Sequence, residues 1–164
     1  MELQSTTMRP ALRDDCERIA EIATQAWTPI FALWLEMQGQ AFGQVLEERR
    51  AEHTGAAVRS FCEANPDSVW VTEWHGEVVG FITFLIDRER GRGTISWNAV
   101  APEHTGKGIG TKQIETVLDV FRQLNLRYAD VTTNHDDGHA SARRMYEKAG
   151  FVPVFISLRY MRPL

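Results

Sequence analysis

The spacing of apolar residues along the chain changes period twice. After a short extended stretch from Thr6 to Ala11, apolar positions fall at Leu12, Cys16, Ile19, Ala23 and Ala26, the three-to-four spacing of a helix. Asp14 and Asp15 stand where an N-cap is needed. Trp27, Thr28 and Pro29 interrupt this run, and "IFALWLEMQGQAFGQVLEERRAEH" continues with helical composition broken by Gly39 and Gly43, so two or three short helices are predicted there. A further helix, from about Thr54 or Ala56 through Cys62, is predicted to stop near "NPD", because Pro66 disfavours helix at Asn65.

From Ser68 the period becomes two. "VWVTEW" and "VVGFITFLI" are separated by "HGE", a hairpin signal, and the second run is apolar on both faces from Val78 to Ile86, as an inner strand would be. A polar loop returns the chain to "TISWNAV", a third strand, which ends at a glycine-rich turn. Helical spacing then resumes, with Ile114, Val117, Leu118, Phe121 and Leu124 on one face. "LRYADVTTN" reads as a strand, "ASARRMYEKAG" as a helix closed by Gly150, and "FVPVFISLRYM" as a terminal strand interrupted by Pro153. Helices first, then a meander, then alternating strands and helices predict an α/β sandwich built on a mixed sheet. No repeat or linker divides the chain, so residues 1–164 are read as one domain.

Charge and cysteine content narrow the function. A net charge of -4 argues against a broad basic surface for nucleic acid or an anionic membrane. No apolar run approaches the length of a membrane span, and no charged start leads into a cleavable apolar segment, so neither export nor membrane insertion is expected. Cys16 and Cys62 form neither a metal spacing nor a disulfide framework, which fits a reducing cytoplasm and a protein without a metal.

The candidate chemistry lies in "NAVAPEHTGKGIGTKQ". Gly106, Gly108 and Gly110 sit between a strand and a helix, where main-chain N–H groups can meet an anion at the positive end of the helix dipole, and Lys107 adds a charge. The competing reading is a turn that needs glycine only for close packing. No G-x-x-x-x-G-K-[ST] phosphate loop is present, and a dinucleotide fingerprint belongs in the first strand–helix unit of a parallel sheet rather than after a meander.

The run "VAPEHTGKGIGT" from Val100 to Thr111, followed about thirty residues on by "ARRMYEKAGF" from Ala142 to Phe151, resembles the two signature motifs of the GNAT superfamily of acyl-CoA-dependent N-acetyltransferases. The resemblance implies an α/β fold with a mixed, mostly antiparallel central sheet, helices on both faces and strands that splay at the cofactor site. It implies acetyl-CoA as acyl donor and a primary amine of a small molecule, amino acid derivative or peptide as acceptor, attacked directly. Carried over, the pyrophosphate site falls on Thr105, Gly106, Lys107, Gly108, Ile109, Gly110 and Thr111, and the pantetheine arm and carbonyl on the main chain of Ala99 and Val100. Tyr146 matches the tyrosine that protonates the departing thiolate, against the alternative of a packed core tyrosine. Two positions depart from the family pattern: Thr105 stands where Arg or Gln is usual, and His139 where Asn is usual, as a cofactor contact or merely a helix-start residue. Trp27, Phe31, Trp97 and Asn98 are expected to border the acceptor, with Trp34 and Met37 continuing an aromatic stripe that equally suits a core. Asp130, Glu73 and Asp87 lie on or beside strands, and none identifies itself as a base. These departures keep open a second reading, a non-catalytic CoA-binding sensor or interaction module. The short apolar tail "FVPVFISL" points to a homodimer that covers a strand edge.

Overall fold

The computed structural model describes residues 6–38, 50–158 and 160, and its five strands are ordered in the sheet as they are in the chain. β1 (Thr6–Pro10), β2 (Val69–Trp74), β3 (Glu77–Asp87) and β4 (Arg92–Val100) pair antiparallel, and β5 (Tyr128–Val131) joins β4 in parallel. The sheet is mixed and mostly antiparallel, as the sequence leads one to expect. "HGE" makes a tight hairpin in which His75 and Gly76 both take positive φ, 51° and 83°, the combination whose twist matches that of the strands it joins.

Helices cover both faces. α1 (Cys16–Gln38) and α2 (Arg50–Ala64) bury Ile19, Ile22 and Val58 against Val69, Val71 and Phe81. On the other face α3 (Ile109–Gln123) and α4 (Ala140–Lys148) bury Ile114, Val117, Phe121 and Tyr146 against Ile82, Phe84 and Ile95. β3 therefore feeds both cores from alternate positions, which explains its unbroken apolar sequence.

Two expectations need correction. α1 is one helix of 23 residues that runs through Pro29 rather than stopping at it. Proline removes one helical hydrogen bond, but beyond it Phe31 is buried and Trp34 Nε1 donates to Asp136 at 2.9 Å, so tertiary contacts hold the second half in line. Gly39 and Gly43 lie outside the described residues. The predicted terminal strand is not found among the described residues: residues 151–158 pair with no strand, and Val152, Val154, Phe155 and Ile156 are exposed. Pro153 has no N–H to enter a ladder, and the neighbouring edge, β5, offers only four residues.

One irregularity aims the strand that matters most. Pairing of β3 with β4 passes from Phe84↔Ile95 to Ile82↔Asn98, so Ser96 and Trp97 together face Thr83 alone. This is a β-bulge, and the wholly buried Thr83 holds it: its Oγ1 accepts from Trp97 N–H at 2.9 Å and donates to the Trp97 carbonyl at 3.3 Å. The extra residue changes the parity of everything after it. Trp97 packs with Ala99 and Ala101 on the α1/α2 face, whereas Asn98 turns to the α3/α4 face that Ile95 already occupies. Pairing of β4 with β5 ends at Ile95↔Val131, so Ser96–Val100 has no strand beside it on that side.

Gly93 of β4 lies under the ring of Phe121, where an added Cβ would come within 2.5 Å of ring carbons. Phe121 is itself buried edge-to-face on Phe84. Gly93→Ala is therefore expected to destabilise the fold by about 1–3 kcal/mol through overpacking, read as a lower urea midpoint at unchanged m. Adding Phe121→Leu should return part of that loss.

Candidate active site

The glycine turn follows β4 directly. A 3-10 turn, Pro102–His104, leads to Gly106 at φ 75° and Gly108 at φ 80°, and Gly108 is the N-cap of α3. Left-handed backbone at both positions needs glycine. The cap supplies no side-chain acceptor, so the first N–H groups of α3 meet the solvent side of the turn with the positive end of the helix dipole behind them. A Cβ on Gly106 would meet nothing within 4 Å, so that flank is open. Gly110 differs, because a Cβ there would sit 2.8 Å from Met145 Sδ, and its role is to let α3 and α4 approach. The two competing readings of the glycines thus divide between residues.

Side chains in the turn face back toward the protein. Lys107 Nζ donates to the Glu103 carbonyl at 2.9 Å, lies 3.4 Å from His104 Nδ1 and stands 5.3 Å from the Trp74 ring centroid. The Thr105 hydroxyl donates to the Pro102 carbonyl at 2.8 Å. What the turn presents outward is main chain.

Across the opened end of β4, the bulge brings Asn98 to Tyr146 of α4, whose hydroxyl donates to Asn98 Oδ1 at 2.7 Å. Burial pushes the Tyr146 hydroxyl up to about 12, so it holds its proton throughout the neutral range. Ala99 is steadied from α3 by the wholly buried Gln113, whose Nε2 reaches the Ala99 carbonyl and Thr72 Oγ1, each at 3.3 Å. Gly80 makes room for that amide, since a Cβ would lie 2.6 Å from it. Among the described residues, Gln113 Oε1 is buried without a partner.

His139 stands at the start of α4. Asp136 accepts from the His139 main-chain N–H at 3.1 Å, lies 2.8 Å from its Nδ1, and accepts from Trp34 Nε1. Trp34 stacks on the imidazole at 5.7 Å between centroids and meets Phe31 edge-on. Burial works against the Asp136 charge, but the bonds from His139 and Trp34 outweigh it and hold this carboxyl below the usual range. Arg143 fixes the preceding loop by donating to the Asn134 and Asp136 carbonyls.

The sequence-predicted acceptor residues are divided by the sheet. Asn98 lies with Tyr146, whereas Trp97 meets Phe61 edge-on and packs with Trp27 against the α1/α2 core. Met37 is exposed. The three strand carboxylates are engaged elsewhere: Glu73 with Arg9, Asp87 with Arg90, and Asp130 with Thr94 and Arg92. Sequence reasoning missed Asp136 and Thr83. Aspartate three residues before His139 is an N-cap signal and could have been read as one; a lone threonine in an apolar strand carries no mark of a bulge.

Solved structures of similar fold include Ard1 from Thermoplasma volcanium, at 23% identity, TM-score 0.69, and 92% of this chain matched to 85% of that one. The PaiA N-acetyltransferase from Thermoplasma acidophilum, in complex with coenzyme A, is 15% identical at TM-score 0.65, with 89% of each chain covered. The diaminobutyrate acetyltransferase EctA from Paenibacillus lautus, in complex with L-2,4-diaminobutyric acid and coenzyme A, is 15% identical at TM-score 0.62, over 88% of this chain and 74% of that one. No curated protein sequence matches the chain. The model of the acetyltransferase (GNAT) family matches residues 14–151, most of the chain and all of the site just described, and the chain belongs to that family.

Proposed function

We propose that the chain is an N-acetyltransferase that moves an acetyl group from acetyl-CoA to a primary amine of a small molecule, amino acid derivative or peptide by direct attack, with residues 1–164 acting as one catalytic domain. The observation that carries this reading is the meeting, along the unpaired end of β4, of an uncapped glycine turn with the Tyr146–Asn98 pair. Bound coenzyme A in PaiA and in EctA, and the diamine in EctA, support the cofactor and the acceptor class.

Acetyl-CoA supplies the acyl group as a thioester. Main-chain N–H groups from Thr105 to Thr111 bind its pyrophosphate. Main-chain groups at Val100, beyond the end of the β4–β5 pairing, hold the pantetheine arm and polarise the carbonyl, while the Ala99 carbonyl beside them is held by Gln113. Tyr146 donates its hydroxyl proton to the departing sulfur, and Asn98 holds that hydroxyl in place and faces the acceptor. Phe31, edge-on to Trp34, shapes the apolar border, whereas Trp27 and Trp97 pack on the α1/α2 core. Buried free thiols at Cys16 and Cys62 suit a reducing cytoplasm.

A panel of amines with acetyl-CoA tests the proposal directly: release of free thiol with at least one amine is expected. Cofactor binding without thiol release from any amine would favour the sensor reading, which Thr105 and His139 in place of the usual residues keep in view. Gly108→Val forces a β-branched residue to φ near 80° and crowds the anion site, so calorimetry should find CoA binding lost. Tyr146→Phe should bind CoA as before while kcat falls by roughly 10²–10⁴-fold, as for a lost general acid. Exposed Val154, Phe155, Ile156 and Leu158 support a homodimer, so sedimentation at tens of micromolar should give twice the 18.7 kDa chain mass, reduced to one by Phe155→Asp.

A further inference from the structure

We propose that His139, oriented by Asp136, is the base that takes the proton from the attacking amine. The inference rests on the acetyl-transfer reading above and assigns within it the role that no strand carboxylate fills, since Glu73, Asp87 and Asp130 are all engaged with other residues. Asp136 lies 2.8 Å from His139 Nδ1 and is itself fixed by Trp34 Nε1 and by the His139 main-chain N–H. A carboxylate there places the neutral ring's proton on Nδ1, which leaves the Nε2 lone pair free to accept another. The same arrangement of carboxylate and imidazole orients a general base in hydrolases.

Position on α4 matches the task. His139 is the N-cap of α4, and Tyr146 lies seven residues on in the same helix. The Tyr146 hydroxyl is held at Asn98 of β4, and the His139 ring is held by Asp136 and stacked on Trp34 of α1. These two side chains serve the two proton movements of the reaction. His139 Nε2 accepts one proton from the amine nitrogen, the N–C bond forms, the C–S bond breaks, and the sulfur leaves as thiolate and takes the proton of Tyr146. Imidazolium then returns its proton to solvent, and Tyr146 recovers one.

Among the described residues, these groups face the ring. Asp136 comes from its own loop, and α4 contributes Arg143, which bonds to the Asn134 and Asp136 carbonyls. From α1 come Trp34, stacked on the ring, and Ile30 and Leu33, which lie over Gly138. Among the described residues Asp136 is the one charged side chain that bonds to the imidazole.

The test compares the native chain with His139→Gln and Asp136→Asn, using acetyl-CoA and the best acceptor of the amine panel. His139→Gln should bind CoA with unchanged Kd while kcat/KM for the amine falls roughly 10²–10⁴-fold and the acid limb of its pH profile disappears. Asp136→Asn should bring a smaller loss of kcat/KM, again with unchanged Kd for CoA. Independently of turnover, ¹⁵N NMR of the native imidazole at pH 8 should find the proton on Nδ1, and Asp136→Asn should abolish that preference. Weakened CoA binding with an intact acid limb in His139→Gln would make the histidine a cofactor contact and overturn the proposal. A proton on Nε2 would overturn it even if no amine is acetylated, whereas an active native chain with an unaltered profile in His139→Gln would overturn it and leave acetyl transfer standing.

Discussion

The site depends on one buried threonine. Thr83 offers its hydroxyl to both main-chain groups of Trp97, and by doing so lets β4 carry one residue more than β3 at that point. A sheet has a side-chain period of two, so a single added residue exchanges the faces of all that follow. Without the bulge, Asn98 would turn to the α1/α2 core and Trp97 would crowd α4. The added residue also strengthens local twist, and pairing with β5 stops just before it, at Ile95↔Val131. One hydroxyl thus accounts both for the opening beside β4 and for what lines it.

Around that opening several polar groups are bonded to protein partners. Tyr146 is bonded to Asn98, the imidazole of His139 lies between Asp136 and Trp34, and the Ala99 carbonyl is bonded by Gln113. Groups fixed in this way are oriented before charge develops nearby, although Tyr146 must turn its one proton away from Asn98 before it can give it to another group. The cost is visible at Gln113 Oε1, a buried acceptor with no partner among the described residues, a defect of about 1–3 kcal/mol in ordinary proteins.

The strands, the α3 face and the glycine turn were legible because each writes its period or its backbone demand into neighbouring residues. The paired motifs around Gly108 and Tyr146 made the family legible as well. What could not be read came from contacts between distant residues. Pro29 announces a break, yet the bond from Trp34 to Asp136, 102 residues away, keeps α1 whole. "FVPVFISLRYM" has strand composition, but a strand exists only where a neighbour offers a ladder, and residues 151–158 have none. Trp97 and Asn98 are adjacent in sequence and sit on opposite faces, so no reasoning from the motif alone separates the packing residue from the polar one. The ammonium of Lys107 lies over Trp74 and bonds to the Glu103 carbonyl, contacts that its position in the motif does not reveal.

Because spatial order follows chain order in the sheet, the molecule has a direction in time as well as in space. β2, β3 and β4 are joined by short turns, and the entropy of closing such small loops is modest, so this meander is suited to form early. β5 can join only after a crossover through α3, and α4 only after β5. The glycine turn, attached to the meander, therefore exists before Tyr146 and His139 arrive opposite it. A chain emerging amino end first can thus shape one wall of the opening while the residues of the other are still unfolded.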